Sequence, residues 1–95
     1  MNNVTLVGRI GNDPEIKENF VKLSLATNDG YGDNKKTNWH SIVFFGKAAE
    51  VVGKYVKKGD SFAVSGRLDY NKHEDKYYTS IIGNDFTLLG TKDPD

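Results

Sequence analysis

The stretch from Thr37 to Glu50, TNWHSIVFFGKAAE, constrains the fold of this chain more than any other segment. As far as Phe45 it has the residues of a strand, with large apolar side chains at both odd and even positions, and from Ala48 its spacing is helical. Successive side chains of a strand point to opposite faces. One face therefore carries Thr37, Trp39, Ser41, Val43 and Phe45, and the other carries Asn38, His40, Ile42 and Phe44.

One of these two faces must close a hydrophobic core, and the other needs a separate explanation. The odd-numbered face holds Trp39 and Phe45 with smaller residues between them, and Lys47 comes shortly afterwards. Flat aromatic rings on a strand beside a cation suit the stacking of nucleic-acid bases. Alternatively both faces are buried, since strands inside a sandwich or barrel are near-continuous apolar runs and tryptophan is usually largely buried. This stretch alone leaves both interpretations open.

The remainder of the chain alternates in further short strands. The predicted strands are 2–10, 20–27, 37–45, 61–71, 76–82 and a last short one at 86–89. The predicted helix is 47–57. Residues 71–75 are predicted to form a hairpin tip, and residues 83–85 a turn or bulge. Gly8 inside the first strand predicts a bend, as at barrel corners. The order predicts an all-β fold, a five-stranded OB-fold barrel with one short helix between strands 3 and 4, and such barrels usually bind oligonucleotides or oligosaccharides. We expect one domain over residues 1–90 and a short disordered end over residues 91–95.

The formal net charge is zero, from 13 Lys and Arg against 13 Asp and Glu, which argues against a strongly basic nucleic-acid-binding protein. The distribution is uneven, however, because residues 34–58 contain six lysines and one glutamate. Binding depends on this local field, since charges more than a Debye length of about 8 Å apart are screened at physiological salt. Lys47 stands out, because a cation near a helix N-terminus opposes the helix dipole, and a phosphate nearby would explain its position.

The composition argues against several kinds of site. There is no cysteine, which excludes disulfides and thiolate metal sites, and the two histidines lie far apart, so we predict no metal and no cofactor. No phosphate-binding loop, dinucleotide fingerprint or nucleophile elbow occurs, so we do not expect an enzyme. No apolar run approaches the roughly 20 residues of a membrane helix, and the N-terminus has no signal-peptide pattern. We therefore predict a cytoplasmic protein without a membrane partner.

Several segments resemble the bacterial single-stranded DNA-binding protein family in order and spacing, over about Val4 to Leu89. They are VTLVGRIGNDPE at 4–15, LSLAT at 23–27, WHSIVFFGKAAE at 39–50, YVKKGD at 55–60 and VSGRL at 64–68. The resemblance implies an OB-fold, a homotetramer and sequence-tolerant wrapping of single-stranded DNA in replication, repair and recombination. Ile42, Phe44 and the outer faces of a small barrel offer apolar surface for the contacts between subunits.

The resemblance also carries over individual residues. Trp39 and Phe45 match the stacking aromatics of the family, and Tyr31 lies where the family usually has a tryptophan. His40 matches a histidine at the association of subunits, and Lys47 matches a lysine of the DNA groove.

Three departures from the family pattern qualify these expectations. His73 occupies a hairpin position that often carries a further stacking tryptophan, which predicts weaker stacking there. Asp69 lies where a basic residue is expected, which predicts a locally lower affinity. The family typically continues into a long tail with an acidic end that recruits replication and repair proteins, whereas this sequence stops at Asp95. The sequence is therefore either a naturally short form without that tail or one from which the tail was removed, and in both cases recruitment through the tail is in doubt.

The hypothesis is a groove that binds single-stranded DNA through two sets of residues. The stacking set is Tyr31, Trp39, Phe45, Tyr70, His73 and Tyr78, and the phosphate set is Arg9, Lys22, Lys35, Lys36, Lys47, Arg67, Lys72 and Lys76. Any one of the lysines is alternatively an ordinary solvated surface charge. The first rival function is a dimeric primosomal-type interaction module that binds DNA and replication partners. The second rival is a small enzyme that uses the same barrel groove, with carboxylates or histidines clustered in one pocket.

Overall fold

The sequence folds into one sheet with a single α-helix, as seen in a computed structural model that describes residues 1–30 and 32–90. The strands are β1 (Val4–Ile10), β2 (Glu15–Ile16), β3 (Phe20–Asp29), β4 (Lys36–Phe45), β5 (Ser61–His73) and β6 (Lys76–Gly90), the helix is α1 (Gly46–Tyr55), and a single 3-10 turn spans Gly32–Asn34. Within these described ranges, no helix has the length and apolar character needed to cross a membrane.

The sheet closes on itself. Its strand order is β1-β5-β6-β4-β3-β2, and β1 also pairs with β3, through Arg9 with Ala26 and Ile10 with Leu25. Every pairing is antiparallel except that between β4 and β6, which joins Ile42 to Ile81 and Val43 to Ile82. The two-residue β2 is an addition at the edge of β3. The predicted five-stranded OB-fold barrel, with one short helix between its third and fourth main strands, is confirmed.

The last two strands are longer than the sequence pattern predicts. β5 and β6 form one long hairpin whose turn is only Glu74 and Asp75, with Glu74 at a φ of 58°. β6 runs without a break through 83–85, and the register shifts there, because Ser65 pairs with Asp85 while Gly66 pairs with Gly83. The glycine-containing segment is thus a bulge within one strand, which bends the hairpin around the barrel.

The even-numbered face of β4 supplies the core. Ile42 and Phe44 are fully buried, and Phe44 packs edge-on against Phe62 and Phe86, with ring centroids 6.1 and 5.4 Å away. Aromatic pairs at such distances and tilts contribute about 0.5–1.5 kcal/mol beyond area burial. Because Ile42 and Phe44 do not reach the surface, the expectation that they contribute to subunit contacts is wrong.

Gly8 allows the barrel to close. A Cβ at this position would overlap the carbonyl oxygen of Ala26 on β3, so only a glycine lets β1 approach β3 so closely. The bend predicted at Gly8 therefore coincides with the seam of the barrel. The seam brings Arg9 of β1 beside the outward face of β3 and β4.

Candidate nucleic-acid interface

Two large aromatic side chains stand exposed on the odd-numbered face of β4. Trp39 is 64% exposed and Phe45 is 51% exposed, although the other face of the same strand carries the fully buried Ile42 and Phe44. The alternation of the strand forces this arrangement, since turning Ile42 and Phe44 inward turns Trp39 and Phe45 outward. The alternative in which both faces of this strand are buried is therefore wrong. The outward side of β3, β4 and β6, with the two aromatics on its central strand β4, is termed the aromatic face below.

Arg9 lies at the tryptophan end of the aromatic face. The pairing of Arg9 with Ala26, and of Ala26 with Trp39, sets the three residues in one row across β1, β3 and β4. The guanidinium donates a hydrogen bond from Nη1 to the carbonyl of Gly59 at 3.0 Å, which holds its position while other N–H groups stay available. A cavity of about 650 Å³ opens beside the indole, and its lining includes Arg9, Asn28, Thr37, Trp39 and Leu89.

The turn between β1 and β2 supports the indole of Trp39 from behind. A Cβ at Gly11 would overlap Cζ3 of the indole and lie 3.1 Å from its Cε3 and Cη2, so the six-membered ring rests against the Gly11 backbone. Gly11 donates its N–H to the Ser24 carbonyl at 2.9 Å, and the Ser24 N–H is donated to Oδ1 of Asn12 at 3.1 Å. A residue with no side chain is therefore required at the position that fixes the indole.

Two cations flank the middle of the aromatic face. Lys22 of β3 pairs with Val43, Val43 pairs with Ile82 of β6, and Ile82 pairs with Arg67 of β5. Paired residues of neighbouring strands point to the same side of the sheet. Lys22 and Arg67 are exposed, so the row has an apolar centre with one positive charge at each end.

Phe45 lies at the other end of β4, where the strand passes into the helix. Gly46 takes a φ of +65°, a conformation that favours glycine, and the helix begins there. The first turn of α1 has no acidic residue, and no side chain caps its N-terminus. Lys47 lies exposed in this turn, so the helix dipole and the lysine both favour an anion beside Phe45.

Trp39 and Phe45 are too far apart to contact the same base. Six residues of strand at roughly 3.3 Å each separate their Cα atoms by about 20 Å. Ser41 and Val43, both half-buried, lie between them. A single strand of DNA that stacks on both rings must therefore cross the row that runs from Lys22 to Arg67.

The β5–β6 hairpin separates the predicted tyrosines onto opposite sides. Tyr78 pairs with Asn71 and shares the outward side of β6 with Ile82, so it extends the aromatic face. Tyr70 pairs with Thr79 and follows the core-side alternation of Leu68. Both tyrosines are exposed, but only Tyr78 lies on the same side as Trp39.

The lysines of the hairpin separate in the same way. Lys76 follows the alternation of Tyr78, whereas Lys72 lies on the side of Tyr70, with its Nζ 5.5 Å from the centroid of the Tyr77 ring. Tyr70 and Lys72 are thus not brought to the aromatic face. The backbone of His73 ends β5 and pairs with Lys76, and its side chain lies outside the described part of the structure.

The two remaining predicted cations lie where the loop before β4 ends: Lys35 is its last residue, and Lys36 is the first residue of β4, on the same side of the strand as His40. Lys35 and Lys36 are exposed, and Lys36 pairs with Asp29 at the start of β4. They precede Thr37, whose hydroxyl donates to Oδ1 of Asn28 at 2.8 Å at the edge of the cavity beside Trp39. Tyr31, the predicted stacking residue of this loop, lies outside the described residues.

His40 lies on the core side of β4, away from the aromatic face. It is half-buried, and its Nε2 is 2.9 Å from the hydroxyl oxygen of Thr27. This placement agrees with the side of the strand that was predicted for it, opposite Trp39. Among the side chains that the structure describes, no group of three or more histidines or carboxylates could hold a metal ion.

Sequence reasoning missed one residue of this surface. Phe20 is the cross-strand partner of Phe45, and the two ring centroids lie 6.1 Å apart with an interplanar angle of 53°. The alternation of side chains along β3 indicated this residue, because it sets Phe20 on the more polar side of the strand together with Lys22. A large aromatic on such a side is unusual for a residue that only fills a core.

A closed five-stranded barrel with exposed aromatics between flanking cations defines an OB-fold with a nucleic-acid-binding type of surface. A family model described as "Single-strand binding protein family" matches residues 1–89. The chain belongs to this family.

Two curated relatives and one solved structure show how far the similarity extends. The Single-stranded DNA-binding protein of Xanthomonas campestris pv. campestris is 40% identical over 95% of this chain and 61% of the relative. Single-stranded DNA-binding protein 1 of Chlorobaculum tepidum is 40% identical over 98% of this chain and 67% of the relative. A chain of the structure "Plasmodium falciparum SSB complex with ssDNA" superposes with a TM-score of 0.80 at 30% identity, covering 97% of this chain and 96% of that one. The chain thus spans about three fifths of the length of the Xanthomonas relative.

Substituting Gly11→Ala should displace the indole of Trp39 without unfolding the barrel. The added methyl group overlaps the six-membered ring, so the ring must move into solvent. Trp39 is the single tryptophan of the chain, and its fluorescence emission should therefore shift to longer wavelength while the far-ultraviolet circular dichroism stays unchanged.

Gly53→Ala is the matched control, since its added methyl group contacts Ile16 rather than the indole. An emission spectrum that is identical in the Gly11→Ala variant and the wild type would contradict the contact between Gly11 and the indole.

Proposed function

We propose that this chain binds single-stranded DNA without strong sequence preference and protects it during replication, recombination and repair. The observation that carries the proposal is the exposure of Trp39 and Phe45 on one face of a strand whose other face supplies the buried Ile42 and Phe44. The relatives named above support it, since they are single-stranded DNA-binding proteins by name.

The aromatic face suits unpaired bases for a physical reason. Every base has a flat surface, and each base that stacks on an aromatic side chain contributes about 1–3 kcal/mol whatever its identity. Trp39 and Phe45 are the principal stacking residues of the proposal, with Tyr78 beyond them on the same side of the sheet. Duplex DNA binds poorly in this account, because its bases are already stacked on one another.

Cations around the face hold the phosphates. Arg9 lies beside Trp39, Lys22 and Arg67 flank the middle row, and Lys47 adjoins Phe45. Each phosphate that is neutralised releases condensed counterions, which makes such contacts sensitive to salt. The zero net charge is compatible with this role, since these four cations are gathered around the aromatic face. The proposed role is binding, and we assign no catalytic residue.

We further propose that the chain assembles as a homotetramer, with His40 near a contact between subunits. The half-buried imidazole at the end of the buried face of β4 supports this assignment. A dimer is the alternative and would favour the primosomal-type interaction module.

The cytoplasmic location and the division into a domain over 1–90 and an end over 91–95 stay predictions. Residues 91–95 lie outside the described part of the chain.

Trp39→Ala and Phe45→Ala should each weaken the binding of a dT oligomer about 5- to 150-fold, since each removes one stacking contact of about 1–3 kcal/mol. Fluorescence anisotropy of a labelled oligomer measures the affinity. Tyr77→Ala is the matched control, because it removes an exposed aromatic ring from the side of the β5–β6 hairpin opposite Tyr78. Equal affinities for the wild type and both variants would refute the stacking proposal.

The affinity for a dT oligomer should fall with salt, with a slope of log affinity against log salt of about −0.7 for each phosphate contacted. Lys47→Gln should make this slope shallower by about 0.7, because one phosphate contact is lost. Lys57→Gln, which removes an exposed lysine beyond the end of α1, should leave the slope unchanged. A wild-type affinity that does not depend on salt would remove the phosphate assignments.

Sedimentation equilibrium at micromolar concentration should give four times the mass of one chain. Twice the mass would favour the primosomal-type alternative, and the mass of one chain would contradict assembly altogether. The measurement needs no DNA, so it tests the assembly independently of strand binding.

A further inference from the structure

A groove adjoins the aromatic face beyond Phe45 and belongs to none of the residue sets predicted from the sequence. It lies between α1 and the segment that joins β2 to β3, and its volume is about 510 Å³, within the range of roughly 300–1,000 Å³ for ligand pockets. Its lining includes Ile16, Phe20, Val21, Ala49 and Gly53. This space is termed the helix groove below.

The helix groove is continuous with the aromatic face through one pair of rings. Phe20 lines the groove and is half-buried, and its ring packs at a tilt against Phe45, which is exposed on the aromatic face. Gly46 also lines the groove, so the backbone that follows Phe45 forms part of its wall without a side chain. A chain of nucleotides that stacks on Phe45 would therefore pass over Phe20 to reach the groove.

The walls of the groove match the chemistry of a nucleotide. Ile16 and Phe20 give it an apolar interior, and Lys17 and Lys54 line it with positive charges that suit a phosphate. Glu18 and Glu50 also line it, and carboxylates accept hydrogen bonds from the N–H groups of bases, such as N3–H of thymine or the exocyclic amino group of cytosine. A purely phosphate-binding channel has no use for these two acids, whereas a complete nucleotide has donors for them.

We propose that the helix groove takes one nucleotide of the bound single strand beyond Phe45, with Phe20 as a further base-contacting residue. This inference rests on the proposed function, since it extends the path of the same strand. It gives Phe20 two neighbours in the complex, the ring of Phe45 on one side and a base on the other.

Photochemical cross-linking of the full chain to a dT oligomer that carries 5-iododeoxyuridine tests the contact directly. Trypsin releases residues 18–22, ENFVK, in which Phe20 is the single aromatic, and residues 37–47, TNWHSIVFFGK, which hold Trp39 and Phe45. Mass spectrometry should find the cross-linked nucleotide on both peptides. A cross-link on 37–47 without one on 18–22 would overturn the helix groove and leave the proposed function intact. No cross-link on either peptide and no binding of the oligomer would overturn both.

The affinities of Phe20 variants distinguish a contact between Phe20 and a base from a role in which Phe20 only packs against Phe45. Phe20→Leu keeps an apolar side chain against Phe45 but has no flat ring, so binding of the dT oligomer should weaken about fivefold, and Phe20→Trp should restore it. Tyr77→Leu removes an exposed ring on the side of the β5–β6 hairpin opposite Tyr78, and it should bind like the wild type. A Phe20→Leu variant with the affinity of the wild type would show that Phe20 only packs against Phe45, and the inference would be wrong.

Discussion

The alternation of side chains along β4 is the constraint on which the rest of this structure depends. Ile42 and Phe44 are fully buried, and Phe44 contacts two other phenylalanines of the core. With those residues fixed inward, the pleat leaves the odd-numbered side chains no place except the outer surface. The exposure of Trp39 and Phe45 is therefore a consequence of the same packing that stabilises the barrel. Burying either ring instead would require a shift of register that exposes the core residues.

Closure of the barrel then places charges around the two rings. The seam between β1 and β3 sets Arg9 in the row of Trp39, and the parallel pairing of β4 with β6 sets Val43 and Ile82 between Lys22 and Arg67. These three cations come from three different strands and are far apart along the chain. The local field that a strand of DNA meets is thus a product of sheet register, which is why a chain of zero net charge can present it.

Local periodicity was enough to predict the fold class, the helix and the two faces of β4, because each depends on residues close together in the sequence. The contacts that depend on distant pairings could not be predicted. Tyr70 and Tyr78 fall on opposite sides of the hairpin because of its two-residue turn, and Gly11 contacts Trp39 through the position of the β1–β2 turn. Phe20 is an intermediate case, since its side of β3 was evident but its pairing with Phe45 was not.

The most direct measurement follows the indole N–H resonance of Trp39 in a proton–nitrogen correlation spectrum during titration with a dT oligomer. The chain has one tryptophan, so one cross-peak reports on the central contact. Stacking on an exposed indole predicts a large, saturable shift of this cross-peak as the oligomer binds. A cross-peak that does not move while the oligomer binds would contradict the account, since the strand would then be held by another part of the surface.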